Sequence, residues 1–442
     1  MELRDFIVTP FVIIGLYVIA YFLRPRLCNE DNKGFFFWAL TVKIVGALAI
    51  GFLYKYYYNG GDTYNYHTFG SRIIWDAFTN NPLDGLSLIF APGDAGLYKY
   101  TSKILFFTDP GSYFVVRVAG LLDLFTFSTY SATATLFGFF SFLGTWFLFR
   151  TFYDLYPHLK NRIALCTLFI PSVVFWGSGL LKDTLVIGSL GFAAFAIKAL
   201  FIDRKISIST VVMLLVSLFI IYEVKKYVLL CFLPSAIFWV YGGNLEHVRS
   251  RVLRLFLLPF FVIITVVTGV FAVVKIGEND ERYAIERLAS TARITAYDIA
   301  YYTGRNAGSQ YSLGELDGSF TGMLKLFPDA IVVSLFRPFL WEANNALMLL
   351  TAIESFVVLT ITLFLLVGRP VSFLTSLRNP TIIFCLMFSL TFAFGVGVST
   401  YNFGTLSRYK IPLIPFYLLA LALIADSGSN KERNEEVLEI TE

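Results

Sequence analysis

Residues Ala346–Val367 read ALMLLTAIESFVVLTITLFLLV, an apolar run of 22 residues interrupted by one charge, Glu354. At 1.5 Å of rise per residue, a helix of that length covers the roughly 30 Å hydrocarbon core of a bilayer. Leu255–Val274 reads LFLLPFFVIITVVTGVFAVV and carries no charge. Neither run alternates polar and apolar side chains, as the roughly ten-residue strands of a membrane barrel do. The expected fold class is therefore all-α, a polytopic transmembrane helical bundle.

Composition points the same way. Of 442 residues, 57% are hydrophobic, 18% aromatic and only 15% charged, more apolar surface than a soluble core of this size consumes. Similar runs lie near 6–23, 35–53, 131–149, 163–181, 183–202, 207–222, 226–241, 380–397 and 411–425, which with the first two make about ten or eleven spans. The pair at 163–202 reads equally as a long kinked helix or as a hairpin turning at Ser178-Gly179. The first run lacks a small-residue cleavage signal and is expected to be a retained span. Residues 1–425 are read as a single polytopic domain, and 426–442, rich in charge, as a disordered tail.

Basic residues mark every second connection: Arg24, Arg26 and Lys33; Arg150, Lys160 and Arg162; Lys198, Arg204 and Lys205; Arg249, Arg251 and Arg254; Arg369 and Arg378. Basic loops mark the cytoplasmic side. The amino terminus is thus expected outside and the carboxyl terminus in the cytoplasm. Two long loops, about 54–130 and 275–345, fall outside. In the first, Ile73–Phe78, Leu83–Phe90 and Leu97–Phe107 read as short amphipathic helices on the membrane surface.

A net charge of +4 scattered over loops excludes a nucleic-acid footprint. Cys28, Cys166, Cys231 and Cys385 are far apart without CxxC spacing, so they propose neither a disulfide framework nor a zinc site.

The expected outer face gathers the unusual polar residues. Asn59-Gly60-Gly61-Asp62-Thr63-Tyr64-Asn65-Tyr66-His67 follows the second span. Asp62 behind two glycines is either a capped turn or a carboxylate held beside aromatic walls, able to take a proton from an attacking hydroxyl. Lys182 and Asp183 either pair at the interface or place a cation and a helix amino terminus against a phosphate. Arg337 with Glu342, and Arg408 with Lys410, read as interfacial anchors or as a phosphate clamp. Together they describe a cationic pocket containing acids.

On these residues the chain resembles the polytopic glycosyltransferases of the C superfamily, together with bacterial Wzy-type and EpsG-type polysaccharide polymerases. Members carry a catalytic Asp in the first outer loop soon after a span, a position that Asp62 in Gly60-Gly61-Asp62 matches. Ser178–Asp183, Phe336-Arg337-Pro338 and Ser407-Arg408-Tyr409-Lys410-Ile411-Pro412 are similar to motifs of bacterial members. The paired acids frequent in the family are missing, because Asp76 and Asp84 lie well beyond Asp62. A bound divalent metal is therefore not supported, and no cofactor is expected.

The resemblance implies a sugar donor carried on a polyprenyl phosphate or pyrophosphate, a glycan or lipid-linked acceptor, and work at the outer face of the cytoplasmic membrane. Asp62 would be the catalytic base. Tyr64, Asn65, His67, Lys182, Asp183, Arg337, Glu342, Arg408 and Lys410 would contact the substrates. The rival class is a transporter or flippase of an anionic or lipid-linked substrate, which calls for ionisable residues inside spans and broken helices. Lys43, Arg117, Asp123 and Glu354 are the charges that lie within apolar segments.

Overall fold

The computed structural model describes residues 2–91, 93, 96–245, 286–304, 309–314 and 317–441, together with the single residues 263, 267, 274, 277, 280, 282 and 284. Among the described residues the regular secondary structure is all helix, with a single isolated β-bridge between Gln310 and Asn402 and no strand. Among the described residues seven helices are long and apolar enough to cross a membrane. The run at 255–274 and the basic residues Arg249, Arg251 and Arg254 lie outside the described residues.

Two compact units form: Met1–Ala196 with Ile208–Lys226, and Ile197–Ser207 with Tyr227–Glu442. The first begins with α1 (Leu3–Leu27) and α2 (Lys33–Tyr57), whose last turn, Leu53–Tyr57, widens to a π-helix. Next come α3 (Asp62–Tyr66), a π turn (His67–Ser71), α4 (Arg72–Asn80), α5 (Pro82–Phe90), α6 (Tyr98–Thr101) and α7 (Pro110–Thr126). They lead into α8 (Tyr130–Leu155), α9 (Lys160–Leu168), α10 (Pro171–Trp176), α11 (Lys182–Ile197) and α12 (Ile208–Val224).

The starts of α5 and α7 follow from local chemistry. Asn81 precedes Pro82 and its side chain accepts from Leu83 N; Asp109 precedes Pro110 and accepts from Ser112 N at 3.0 Å. Proline at the first helical position lacks only an N–H the helix would leave unpaired, and the Asx side chain takes up a neighbouring one. The helices α4, α5 and α6 fall on the three stretches read as amphipathic, although α6 is a single turn.

The centre of this unit is aromatic. Phe36 of α2 meets Phe142 and Trp146 of α8 edge-on at 5.0 and 4.8 Å, and the Trp146 indole donates to Leu27 O at the end of α1. In its most apolar window α1 is only 17% buried, whereas α8 is 72% buried. The outer helix thus offers its apolar face to the surroundings, and α8 is the core helix.

The expected span 163–181 is broken. Pro171 has no N–H to donate and pushes Ile170 into an extended conformation (φ −67°, ψ 123°), separating α9 from α10. The chain then turns at Gly177–Leu181 and returns as α11. This turn lies against Gly46 of α2 and Gly138 of α8. The buried Lys43 ammonium donates to Val173 O (3.1 Å), which also accepts the Gly177 N–H, and to Gly177 O (3.0 Å) just past the end of α10.

The second unit contains α13 (Lys226–Leu245), which begins one residue before the boundary, and α14 (Leu288–Gly304). It continues with α15 (Phe320–Lys325), α16 (Phe327–Phe336), α17 (Ala346–Gly368), α18 (Pro370–Ser376) and α19 (Pro380–Thr400). α20 (Phe403–Tyr409) and α21 (Ile414–Thr441) follow, bent by 67° at Lys410–Leu413. The expected span 411–425 therefore overlaps the bend and the start of α21. Phe384 and Phe388 of α19 fill the core here against Phe232, Trp239 and Phe416.

Candidate functional site

Asp62 owes its position to the end of α2. Asn59, Gly60 and Gly61 take φ of 55°, 131° and 119°, a left-handed sequence that reverses the chain in three residues. Gly60 N returns to Tyr54 O at 2.8 Å. Gly61 must be glycine, since a Cβ there would stand 2.8 Å from the Tyr54 ring. Its carbonyl accepts the N–H groups of Tyr64 and Asn65, so Asp62 becomes the first residue of α3, where a carboxylate suits the helix dipole.

Tyr130, the first residue of α8, holds α3 in place. Its hydroxyl is 2.8 Å from Thr63 Oγ1, and its ring stacks on Tyr64 with centroids 4.2 Å apart. Lys55 lies over the Tyr64 ring at 5.8 Å, and the Tyr64 hydroxyl donates to Gly51 O. Burial pushes the Tyr64 phenol above its ordinary value, so the ring stays neutral. Asp62 and Asn65 are partly exposed, while Tyr56, Tyr57 and Tyr58 are exposed beside them. The chain thus carries an acid among tyrosines at the end of a long apolar helix. Tyr66 is buried against Phe106, and His67 is buried beside Asp123, so neither ring lines the surface.

Lys182 and Asp183 open α11, and each finds its own partner. Lys182 donates to Asp109 at 2.9 Å, and Lys225 pairs with Asp183 in a nearly dry environment. Partial burial works against ionisation of Asp109, but the Lys182 ammonium and the bonds from Ser112 outweigh it and hold the carboxyl at about 2. Sequence reasoning singled out Lys182 and missed Asp109. The signal was the Asp109-Pro110-Gly111-Ser112 cap.

In the second unit Arg337 grips Glu342 with Nε and Nη2, and Glu342 also accepts Phe339 N at 2.8 Å. Burial opposes the ionised Glu342, yet Arg337 and the Phe339 N–H leave it below the usual carboxylate value. The guanidinium lies 5.1 Å from the Phe403 ring, 5.9 Å from Phe339 and 6.0 Å from Tyr311. Tyr311 arrives there because Ser309–Tyr311 pairs its backbone with Tyr401–Phe403. Lys410 is buried at the bend and donates to Ser355 Oγ (2.9 Å) and Arg337 O (3.3 Å). Arg408 lies over Tyr409 at 5.5 Å. Trp341 is 80% exposed and stacks on Phe339.

Compared with known protein families, curated proteins and solved structures, the chain matches none of them. The site must be judged on its own geometry. Among the described residues no group of three His, Cys, Asp or Glu side chains is arranged to hold a metal. Four expected residues, Asp62, Tyr64, Asn65 and the deeper His67, share one segment, which Tyr130 holds through Thr63, Tyr64 and His67. Lys182 and Asp183 lie in the same unit, each in an ion pair. Arg337, Glu342, Arg408 and Lys410 lie in the other unit around one bend and one loop.

Proposed function

We propose that this chain is a glycosyltransferase of the cytoplasmic membrane, working at its outer face on sugars linked to polyprenyl phosphate or pyrophosphate and contributing to cell-surface polysaccharide. The observation that supports this most is Asp62, partly exposed at the head of α3, in a tyrosine-rich segment that follows a long apolar helix. The carboxylate takes the proton of an acceptor hydroxyl as its oxygen attacks the anomeric carbon, and the bond to the lipid phosphate breaks with its electrons leaving on phosphate. Exposed Tyr56 and Tyr57 offer faces for a sugar ring.

The full count of about ten or eleven spans belongs to this proposal. It adds to the seven long helices the bent pair α20–α21, the shorter α12, the broken α9–α10 and the run at 255–274. With the amino terminus outside, a cysteine at Asn80 on a cysteine-free background is expected to react with a membrane-impermeant maleimide in intact cells. A cysteine at Lys160, in a basic connection, is expected to stay unlabelled until the cells are opened. Prompt labelling at Lys160 would overturn the orientation.

The cations are assigned to the lipid phosphate, and the second unit allows a sharp test. Glu342 occupies the guanidinium fork as a phosphate would. Glu342→Gln is expected to raise the affinity of purified protein for polyprenyl phosphate several-fold, and Arg337→Lys, which loses the planar fork, to lower it. Unchanged binding in both variants would leave the pair an internal brace and remove the phosphate from this loop.

One observation favours a transporter as the second reading: Lys43 lies buried midway along α2, bound to the broken end of α10, an arrangement of charge and interrupted helix found in transport sites. Movement of a lipid-linked sugar across vesicles with no change in its sugar content would select that reading.

A further inference from the structure

The first unit contains a second polar centre, behind Tyr130, that the chemistry of Asp62 does not use. His67 is 1% exposed and Asp123 of α7 is fully buried. Asp123 Oδ1 accepts from Thr133 Oγ1 at 2.6 Å and from Thr126 Oγ1 at 3.4 Å, but Oδ2 has no hydrogen-bond partner among the described residues. Neither ring nitrogen of His67 has one either. Buried polar atoms left in this state are rare and ask for an occupant.

The geometry selects among occupants. His67 Nε2 stands 3.9 Å from Asp123 Oδ1, too long for a hydrogen bond. A bridging water, with two bonds of about 2.8 Å at its tetrahedral angle, needs about 4.5 Å between those atoms. A metal ion needs at least a third strong ligand, and no such group is present among the described residues. A proton needs no added volume.

Other charges also reach the imidazole: Arg72 disfavours its cation, while Asp5 and Glu2 favour it less strongly than Asp123 does. Glu2 and Arg72 satisfy each other, Asp5 accepts from Glu2 N and Ser131 N, and Tyr130 presents its neutral ring 5.5 Å from the imidazole. His67 also begins the π turn His67–Ser71, in which Phe69 leaves helical geometry (φ −101°, ψ 18°). Such widened turns yield more readily than a regular helix and recur at functional sites.

We propose that His67 and Asp123 form an internal proton-binding site, in which uptake of one proton converts the imidazole to imidazolium and draws it onto the Asp123 carboxylate, the π turn giving way to close the gap. Burial keeps the His67 pKa below 6.5, with the Asp123 charge opposing that effect. The unfolded chain therefore binds this proton first, and stability is expected to fall as pH drops below 6.5. This site stands independently of the transferase reading.

The test is nuclear magnetic resonance of the full chain in lipid nanodiscs with labelled histidine. There are three histidines, His67, His158 and His247, so His67→Gln assigns the signal. The His67 ring is expected to pass from neutral to cationic as the pH is lowered through the range below 6.5. Asp123→Asn is expected to lower its proton affinity at least about tenfold, one unit in midpoint. Should that variant fail to fold, Thr133→Val removes a hydroxyl that competes for the carboxylate and is expected to raise the midpoint. A His67 that stays neutral to the lowest pH at which the fold persists, or a midpoint that neither variant moves, would overturn the proposal.

Discussion

Replacing Asp62 by Asn is expected to reduce sugar transfer at least about 100-fold while the protein still accumulates and folds, because an amide does not accept the proton that the acceptor hydroxyl must lose. The turn is made by Asn59, Gly60 and Gly61, and α3 is tied to α8 through Thr63 and Tyr64, none of which the substitution touches. The measurement is conversion of polyprenyl-linked sugars by protein reconstituted in vesicles of lipid extracted from the source cells. Near-normal transfer by Asp62→Asn would return the Gly-Gly-Asp turn to a purely structural role. Tyr130→Phe removes the hydroxyl bound to Thr63 but keeps the stacked ring, so its smaller loss would show how far α3 must be held.

The second large effect is on folding. α8 and α11 cross at Gly144, Gly188 and Gly191, where a Cβ on Gly191 would lie 1.9 Å from Gly144 O and one on Gly144 would lie 2.1 Å from Gly188 O. Small residues let the two backbones approach, and in lipid such close packing replaces the hydrophobic drive that water provides. Gly191→Val therefore forces apart two long helices whose apolar windows are each 72% buried. The expected destabilisation is about 3 kcal/mol, read as loss of accumulated protein and of a cooperative thermal transition in detergent. Gly15→Ala in α1, with nothing within 4 Å of the new methyl, is the matched control and is expected to behave as wild type.

Particular residues show what the sequence makes legible. Asn81-Pro82, Asp109-Pro110 and Asn379-Pro380 each announce a helix start, because an Asx cap and a proline at the first helical position act on the residues beside them. The long apolar helices are read from hydropathy, which needs no partner. Pro171 is harder. It breaks the expected span only because the chain turns back at Gly177, and a kinked continuous helix has the same local sequence. α7 was not recognised as a helix of its own, since Arg117 and Asp123 interrupt its apolar pattern.

The ion pairs divide along the same line. Arg337 and Glu342 are five residues apart and were read together. Asp109 lies 73 residues from Lys182, and Lys225 lies 42 from Asp183, so tertiary packing alone brings them together. Cations that looked uncommitted in the sequence acquire carboxylates in the fold. The basis for a phosphate role is therefore narrower than charge counting implies, and Asp62 becomes the residue on which the functional reading rests.

The most direct test of that reading is the profile of lipid-linked glycans, by mass spectrometry, in source cells that carry the gene intact, deleted, or with Asp62→Asn. The account predicts that deletion and Asp62→Asn cause the same polyprenyl-linked sugar to accumulate and the same surface glycan to shorten or vanish. Identical profiles in all three strains would contradict it.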